Sequence, residues 1–278
     1  MNKENFFKNY PARDELSNKY DNGVCLFVSG SYGMAGAALF NLIGARSAGA
    51  SYIHSYLPSS IYPIVAANEA SAVYHPYEED KKELFKEGGL PHKVKACAFG
   101  SGVNNLPYKK EYLKQLIELC EVPLIIDAEG LRILSENEEF YNYGKTLILT
   151  PHMGEFSSLC HMDIQTIEKN KTKIAVDFAK SHQVILALKG HRTLVVSKDG
   201  EVYENQSGNA ALARAGSGDV LTGIITGLCA LYNDPYTAVK DGVWLHGHLA
   251  DEALLHHSKE AFDLMLFPSL ADEFFFKR

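Results

Sequence analysis

The sequence predicts an α/β domain whose central sheet is mostly parallel and carries helices on both faces. Three observations lead there. Short continuous apolar runs, of the kind a doubly covered parallel strand requires, alternate with segments of helical spacing. Gly, Asp, His, Glu and Lys fall directly after those runs, and in open α/β sheets ligands bind outside the carboxyl ends of the strands. The 278 residues show no internal repeat, low-complexity tract or linker, so a single domain over 1–278 is expected.

The elements follow in order. Residues 1–22 are polar and charged and read as a surface arm, partly helical. Val24–Ser29 is a strand that ends in Gly30-Ser31-Tyr32-Gly33-Met34-Ala35-Gly36-Ala37-Ala38, a strand, glycine loop and helix start. The helix beyond, 34–47, is rich in Ala and Gly, which permits close packing. Tyr52–Leu57 and Ala72–Tyr74 read as strands around a short helix near 60–68, and the charged Glu78–Lys86 reads as a solvated helix face or loop. Val94–Phe99 is a strand that ends in Gly100-Ser101-Gly102; a helix over 108–120 follows, with Tyr112, Leu116 and Leu119 in step. Pro123–Ile126 runs into Asp127-Ala128-Glu129-Gly130, and Thr146–Leu149 runs into Thr150-Pro151-His152-Met153-Gly154-Glu155. A helix over 164–181 precedes the strand Val184–Leu188, which ends in Lys189-Gly190-His191-Arg192-Thr193. Leu194–Ser197 and Val202–Glu204 flank Lys198-Asp199-Gly200, a hairpin signal. A last helix over 235–255 and an amphipathic, aromatic tail over 259–278 complete the chain, the tail packing on the body.

Composition bounds the function. Apolar residues make up 46% and charged residues 22%, which is ordinary for a soluble globular protein with ample core. The formal charge of −7 argues against a nucleic-acid backbone as partner, though not against a nucleotide. Five cysteines, none spaced C-x-x-C, read as buried free thiols in a reducing, cytoplasmic compartment. The first residues lack an apolar signal segment, and the apolar runs fall far short of the roughly 20 residues that span a bilayer.

The stretch Ser207–Leu231 carries the chemistry. Small residues crowd up to Gly218, Asp219 follows, and Leu221, Ile224, Ile225 and Leu228 then mark one buried helix face. A helix start leaves its first N–H groups without partners and adds a partial positive charge. Glycines let a ligand oxygen approach, so Gly216, Ser217 and Gly218 form a candidate anion hole. Asp219 at its mouth is either a dipole-compensating helix residue or a general base.

Taken together, these segments resemble the ADP/ATP-dependent NAD(P)H-hydrate dehydratases, a branch of the ribokinase-like superfamily. The resemblance runs from about Asn22 to Phe267: Gly30–Ala38, Asp127–Leu131, Thr150–Phe156, Lys189–Thr193 and Gly208–Gly223 carry the family's motifs in its order. Three places depart from the pattern. Arg214-Ala215-Gly216-Ser217 stands where the family has Thr-Gly-Gly-Thr, Met153 stands where Pro is frequent, and Gly100-Ser101-Gly102-Val103-Asn104 replaces Gly-Pro-Gly-Leu-Gly. Arg214 thereby adds a charge near the anion site.

The resemblance implies a ribokinase-like fold and a substrate, NADHX or NADPHX, whose ring hydroxyl is phosphorylated from ADP or ATP and then lost as phosphate. It implies Asp219 as the base, and Ala37, Gly102, His152 and Asp219 as substrate contacts. Lys189, Gly190, His191, Arg192, Thr193 and Gly218 are implied as nucleotide contacts, and Mg²⁺ as cofactor with Glu155 in its water network. Asp127 either orients Lys189 and the phosphates or caps the following turn. A zinc site on His152 and Glu155 is disfavoured because no further ligands of suitable spacing follow. The resemblance also implies a homotetramer, and the single-domain form favours ADP. Two other readings remain: a vitamin-precursor kinase of the hydroxymethylpyrimidine or hydroxyethylthiazole type, and a non-catalytic nucleotide-binding protein.

Overall fold

The computed structural model describes residues 1–85 and 89–277. Seven strands run parallel: β1 (Val24–Val28), β2 (Tyr52–Pro58), β3 (Val73–Tyr77), β4 (Ala96–Phe99), β5 (Leu124–Ile126), β6 (Leu147–Leu149) and β7 (Ile185–Leu188). An antiparallel hairpin, β8 (Leu194–Val196) and β9 (Val202–Glu204), closes one edge. Across the sheet the order is β3-β2-β1-β4-β5-β6-β7-β8-β9. The chain therefore moves outward from β1 in one direction, returns, and moves outward in the other. The gap between the ends of β1 and β4 is the switch point where such sheets bind ligands.

Two cores explain why the strands are continuously apolar. Cys25 and Phe27 of β1, Ala96 and Ala98 of β4, and Ile125, Ile148 and Ala187 face one core. Their neighbours Leu26, Val28, Cys97, Phe99, Ile126, Leu149 and Leu188 face the other. The first core lies under α1 (Lys3–Asn9), α2 (Ala35–Ser47) and α3 (Tyr62–Asn68). The second lies under α4 (Lys109–Leu119), α5 (Glu129–Ser135), α6 (Met153–Cys160), α7 (Ile164–Lys169) and α8 (Lys171–His182). The chain then returns to the first face with α9 (Ser217–Cys229), α10 (Pro235–Ala253) and α11 (Phe267–Phe276).

Several expectations are amended. The strand expected over Ala72–Tyr74 is β3 and extends through Pro76 to Tyr77; β3 is the sheet edge, so proline's missing N–H costs little there. The helix expected over 164–181 is two, separated at Asn170, whose φ of −135° leaves the helical region. Short helices α5 and α6 follow directly after β5 and β6, where the sequence showed only motifs. The charged stretch after Tyr77 forms no helix through Phe85, and it buries Leu84 and Phe85; Lys86 lies outside the described residues.

The N-terminal arm is not merely a surface feature. Phe6 is fully buried, with ring centroids 5.6 Å from Trp244, 5.3 Å from Phe274 and 5.5 Å from Tyr10. It joins the arm to α10 and to the tail, where Phe262, Phe267 and Phe274 are also buried; Arg278 lies outside the described residues. Phe6→Ala is expected to cost about 3–5 kcal/mol of stability, as large-to-small aromatic changes in cores do. Thermal unfolding of the variant checks this.

Candidate active site

The carboxyl ends of five strands converge on one crevice. After β1, Gly30 takes φ 81° and donates its N–H to Ser101 O (2.8 Å), and Ser31 Oγ donates to Gly102 O (2.7 Å). After β4, Gly102 takes φ 68° and lies so close to Ala37 that an added Cβ would stand 2.7 Å from the Ala37 methyl. Ala37 and Gly102 thus approach too closely for a side chain at position 102. After β5, Asp127 is buried, and the next residue, Ala128, is held at φ 47°, ψ −120°. That is a costly conformation for a residue with a Cβ and is found where surroundings over-determine the backbone. Gly100 makes it fit, because a Cβ there would overlap the Asp127 carbonyl.

Helix α9 points into this crevice. Gly216 is its N-cap at φ 92°, packed beneath Phe40. The Ser217 N–H is taken by Arg214 O (3.3 Å), and its hydroxyl lies 3.4 Å from His246 Nε2. The Ser217 N–H is therefore spent within the loop, and the next N–H groups in the first turn of α9 are those of Gly218 and Asp219. Burial holds His246 down to about 4, so this imidazole is neutral. Asn41 fastens α9 to α2 from below: Nδ2 donates to Asp219 O (2.9 Å) and to Ser101 Oγ (3.1 Å).

Asp219 is pushed up from 3.8 to about 7, first by burial and then by Asp127, against the hydrogen bond from Ser101 and the charge of Lys189. A carboxyl poised near neutrality is suited to take and return a proton. Lys189 sits above the helix start, its Nζ 3.4 Å from where a Gly218 Cβ would be, and pairs with Asp127 Oδ1 at 2.6 Å. Burial acts to lower its pKa, but Asp127, Glu155 and Asp219 together raise it, so it stays charged.

His152 and Glu155 form a reciprocal cap on α6. His152 Nδ1 accepts the Glu155 N–H (3.1 Å) and Glu155 Oε2 accepts the His152 N–H (2.7 Å). Nδ1 as acceptor puts the proton of the neutral ring on Nε2, which lies 3.5 Å from Glu155 Oε1. Glu155 is raised by burial and by Asp127, against Lys189. The backbone of Lys189 joins this segment through its N–H to Pro151 O (2.7 Å).

A cavity of about 780 Å³ opens on the other side of Lys189 and Gly218. Lys189–Thr193 form one wall, with Thr193 Oγ1 closing the turn onto Gly190 O (3.2 Å) while His191 and Arg192 are exposed. The opposite wall is the loop 205–214, which Asp251 secures by accepting from the Gly208 N–H (2.8 Å) and Asn209 Nδ2 (2.9 Å). Arg214 lines the cavity, but its guanidinium is committed. It donates to Ala211 O (2.7 Å), Lys259 O (2.7 Å) and Phe262 O, and lies over the Phe262 ring. It tethers the 259–262 segment to the anion loop.

Ser101, Asn41, Thr222, His246 and Asp251 were not singled out from the sequence. Ser101 between two glycines and Thr222 one turn after Asp219 were available signals; the others depend on contacts across the fold.

These features define an α/β fold that also occurs in a ribokinase-like superfamily protein of Enterococcus faecalis, with a TM-score of 0.83 and 19% identity. The chain belongs to the NAD(P)H-hydrate dehydratase family, whose model matches residues 25–271. It is 30% identical to the ADP-dependent (S)-NAD(P)H-hydrate dehydratase of Bacillus subtilis, over 89% of this chain and 87% of that one. The crystal structure of the Bacillus subtilis ADP/ATP-dependent NAD(P)H-hydrate dehydratase, co-crystallised with ATP and Mg²⁺, superposes with a TM-score of 0.87 and 27% identity, covering 99% of this chain and 97% of that one. The bifunctional NAD(P)H-hydrate repair enzyme of Moorella thermoacetica is 32% identical over 90% of this chain. The chain spans about half (49%) of that bifunctional protein. No described helix is long and apolar enough to cross a membrane.

Proposed function

We propose that the chain is a cofactor-repair lyase that dehydrates (6S)-NADHX and NADPHX to NADH and NADPH. ADP is the phosphoryl donor, released as AMP with phosphate. One observation carries the reading: Lys189 and Gly218 line a cavity of about 780 Å³, and Asp219, a carboxyl pushed up to about 7, follows Gly218 in the first turn of α9. A phosphate tail lying in the cavity meets the Lys189 ammonium and the first N–H groups of α9. The acceptor hydroxyl then lies over Ala37 and Gly102, within reach of Asp219.

The chain's residues do the following. Asp219 takes the proton of the C6 hydroxyl as its oxygen attacks the terminal phosphorus of ADP and AMP leaves. Lys189 and the N–H donors of Gly218 and Asp219 hold the equatorial oxygens, since phosphoryl transfer asks chiefly for positioning and charge. The ring-nitrogen lone pair of the substrate then expels the phosphate from C6, and loss of the neighbouring proton restores the dihydronicotinamide. His152, fixed by its cap on α6, borders the substrate. His191, Arg192, Gly190 and Thr193 border the nucleotide.

Mg²⁺ fits these residues. Asp127, Glu155 and Asp219 all act on one ammonium, which leaves negative charge to be balanced once phosphates enter. The described residues hold no group of three or more His, Cys, Asp or Glu placed to bind a metal. An ion held by phosphates and waters needs none, and Glu155 would hold its water shell. When bound, it would supply charge neutralisation on the phosphates. The homotetramer and a cytoplasmic setting belong to the same proposal and rest on the family resemblance and the unpaired cysteines.

The matching family model favours this reading over the vitamin-precursor kinase. The binding-only alternative rested on Arg214 and Ala215 beside the anion site; of these, the Arg214 side chain is occupied with backbone carbonyls. Phosphorus NMR tests the proposal: ADP should be converted to AMP and phosphate only while NADHX is consumed, one for one. A phosphorylated product that accumulates instead would indicate a kinase.

The rate should also report Asp219. Only its anion accepts a proton, so kcat/KM should fall about tenfold per pH unit well below about 7 and level off above it. A profile flat down to pH 5 would remove Asp219 from the role of base.

A further inference from the structure

We propose that Asp127 is a positioning residue that brackets the site, holding the Lys189 ammonium over the start of α9 with one carboxylate oxygen and Thr222 of the same helix with the other. What Lys189 and Asp219 do is taken from the dehydratase reading; the assignment of Asp127 goes beyond it.

The geometry is specific. Oδ1 accepts from Lys189 Nζ at 2.6 Å and Oδ2 accepts from Thr222 Oγ1 at 2.8 Å. Thr222 lies three residues after Asp219, about one turn along α9, and is itself buried. A single carboxylate at the end of β5 therefore fixes how the end of β7 stands against the first turns of α9. The competing role, a cap for α5, is not what the side chain does. The N-cap of α5 is Ala128, with no side-chain cap bond, and the Gly130 N–H goes to the Asp127 backbone carbonyl (2.9 Å). The Ala128 conformation and the close approach at Gly100 constrain the backbone beside this carboxylate.

The bracket also sets the electrostatics of the base. The groups that act on the Asp219 carboxyl are Asp127 beyond β5, Lys189 beyond β7 and Ser101 beyond β4. Asp127 raises it and Lys189 lowers it, so the proton affinity of Asp219 depends on how these two are held together.

A double-mutant cycle tests the proposal. Asp127→Asn keeps the shape and removes the charge. It should lower kcat about tenfold or more in the native background, and by much less once Lys189→Met has removed the partner. It should also move the acid limb of kcat/KM to lower pH. Thr222→Val keeps the volume and removes the tether; it should lower kcat while leaving that limb in place. Losses that simply add between Asp127 and Lys189, together with an unmoved acid limb, would overturn the proposal, as would unchanged kcat in Thr222→Val. The same cycle read in ADP affinity by calorimetry should show coupling between Asp127 and Lys189. A native protein that binds ADP with that coupling but leaves NADHX unchanged would remove the dehydratase reading and retain the bracket.

Discussion

Asp219→Asn is expected to lower turnover by about 10²–10⁴-fold, the usual cost of losing a general base, while ADP still binds. The cavity that would hold the nucleotide is lined by Lys189, Ser217 and Gly218, not by the Asp219 side chain, so affinity and turnover should separate. The same substitution should raise stability at alkaline pH. A carboxyl whose folded pKa lies above its ordinary value binds its proton more tightly in the folded chain. Its stabilising contribution is complete below about 3.8 and is lost as pH rises through about 7. At pH 8 the native protein therefore carries a poorly solvated anion that the Asn variant lacks. The variant should melt at a higher temperature there, and the difference should shrink as pH falls toward 5. This is the pattern of a residue kept for chemistry at the expense of stability. Equal melting curves across that range would mean that Asp219 is well solvated and ordinary.

Gly223→Ala is expected to damage both stability and activity. A Cβ at Gly223 would overlap the Asn41 carbonyl and stand 2.9 Å from Ala45 N and from Gly44 Cα, all backbone atoms of α2. No side chain can move aside, so the two helices must part. Overpacking typically costs about 1–3 kcal/mol, and a clash with backbone belongs at or above the upper end. The consequence reaches the site because Asn41 joins α2 to the Asp219 carbonyl and to Ser101. Gly36→Ala in the same α2 is the control: its added Cβ meets only Phe40, at 3.9 Å, and should be neutral or stabilising. Thermal unfolding of the two variants, with the rate of each, checks the contrast.

The sheet and the gathering of Gly, Asp, His and Lys at strand ends were legible because a doubly covered parallel strand leaves an unbroken apolar run, and the loop after it carries the polar residues. Asp219 was legible as an anion-site carboxylate, but its shift to about 7 was not, since that depends on burial and on Asp127, 92 positions away in sequence from Asp219 (219 − 127). Helix α6 was missed because its N-cap is a histidine, outside the usual capping residues, although Glu155 at the third helical position signalled it. Arg214 read as a charge open to the anion site; three carbonyls, two of them from the segment 259–262, occupy it instead. Phe6 gave no sign of burial, because its partners Trp244 and Phe274 come from the far end of the chain. Contacts between segments distant in sequence leave no periodicity to read.

The most direct test of the central claim is absorbance at 340 nm after mixing the protein with NADHX, Mg²⁺ and ADP. A rise that requires both nucleotide and protein, and that Asp219→Asn reduces about 10²-fold or more, is the predicted result. No rise with ADP or ATP, from folded protein that binds nucleotide, would contradict the assignment and return the site to phosphoryl transfer on another hydroxyl or to nucleotide binding alone.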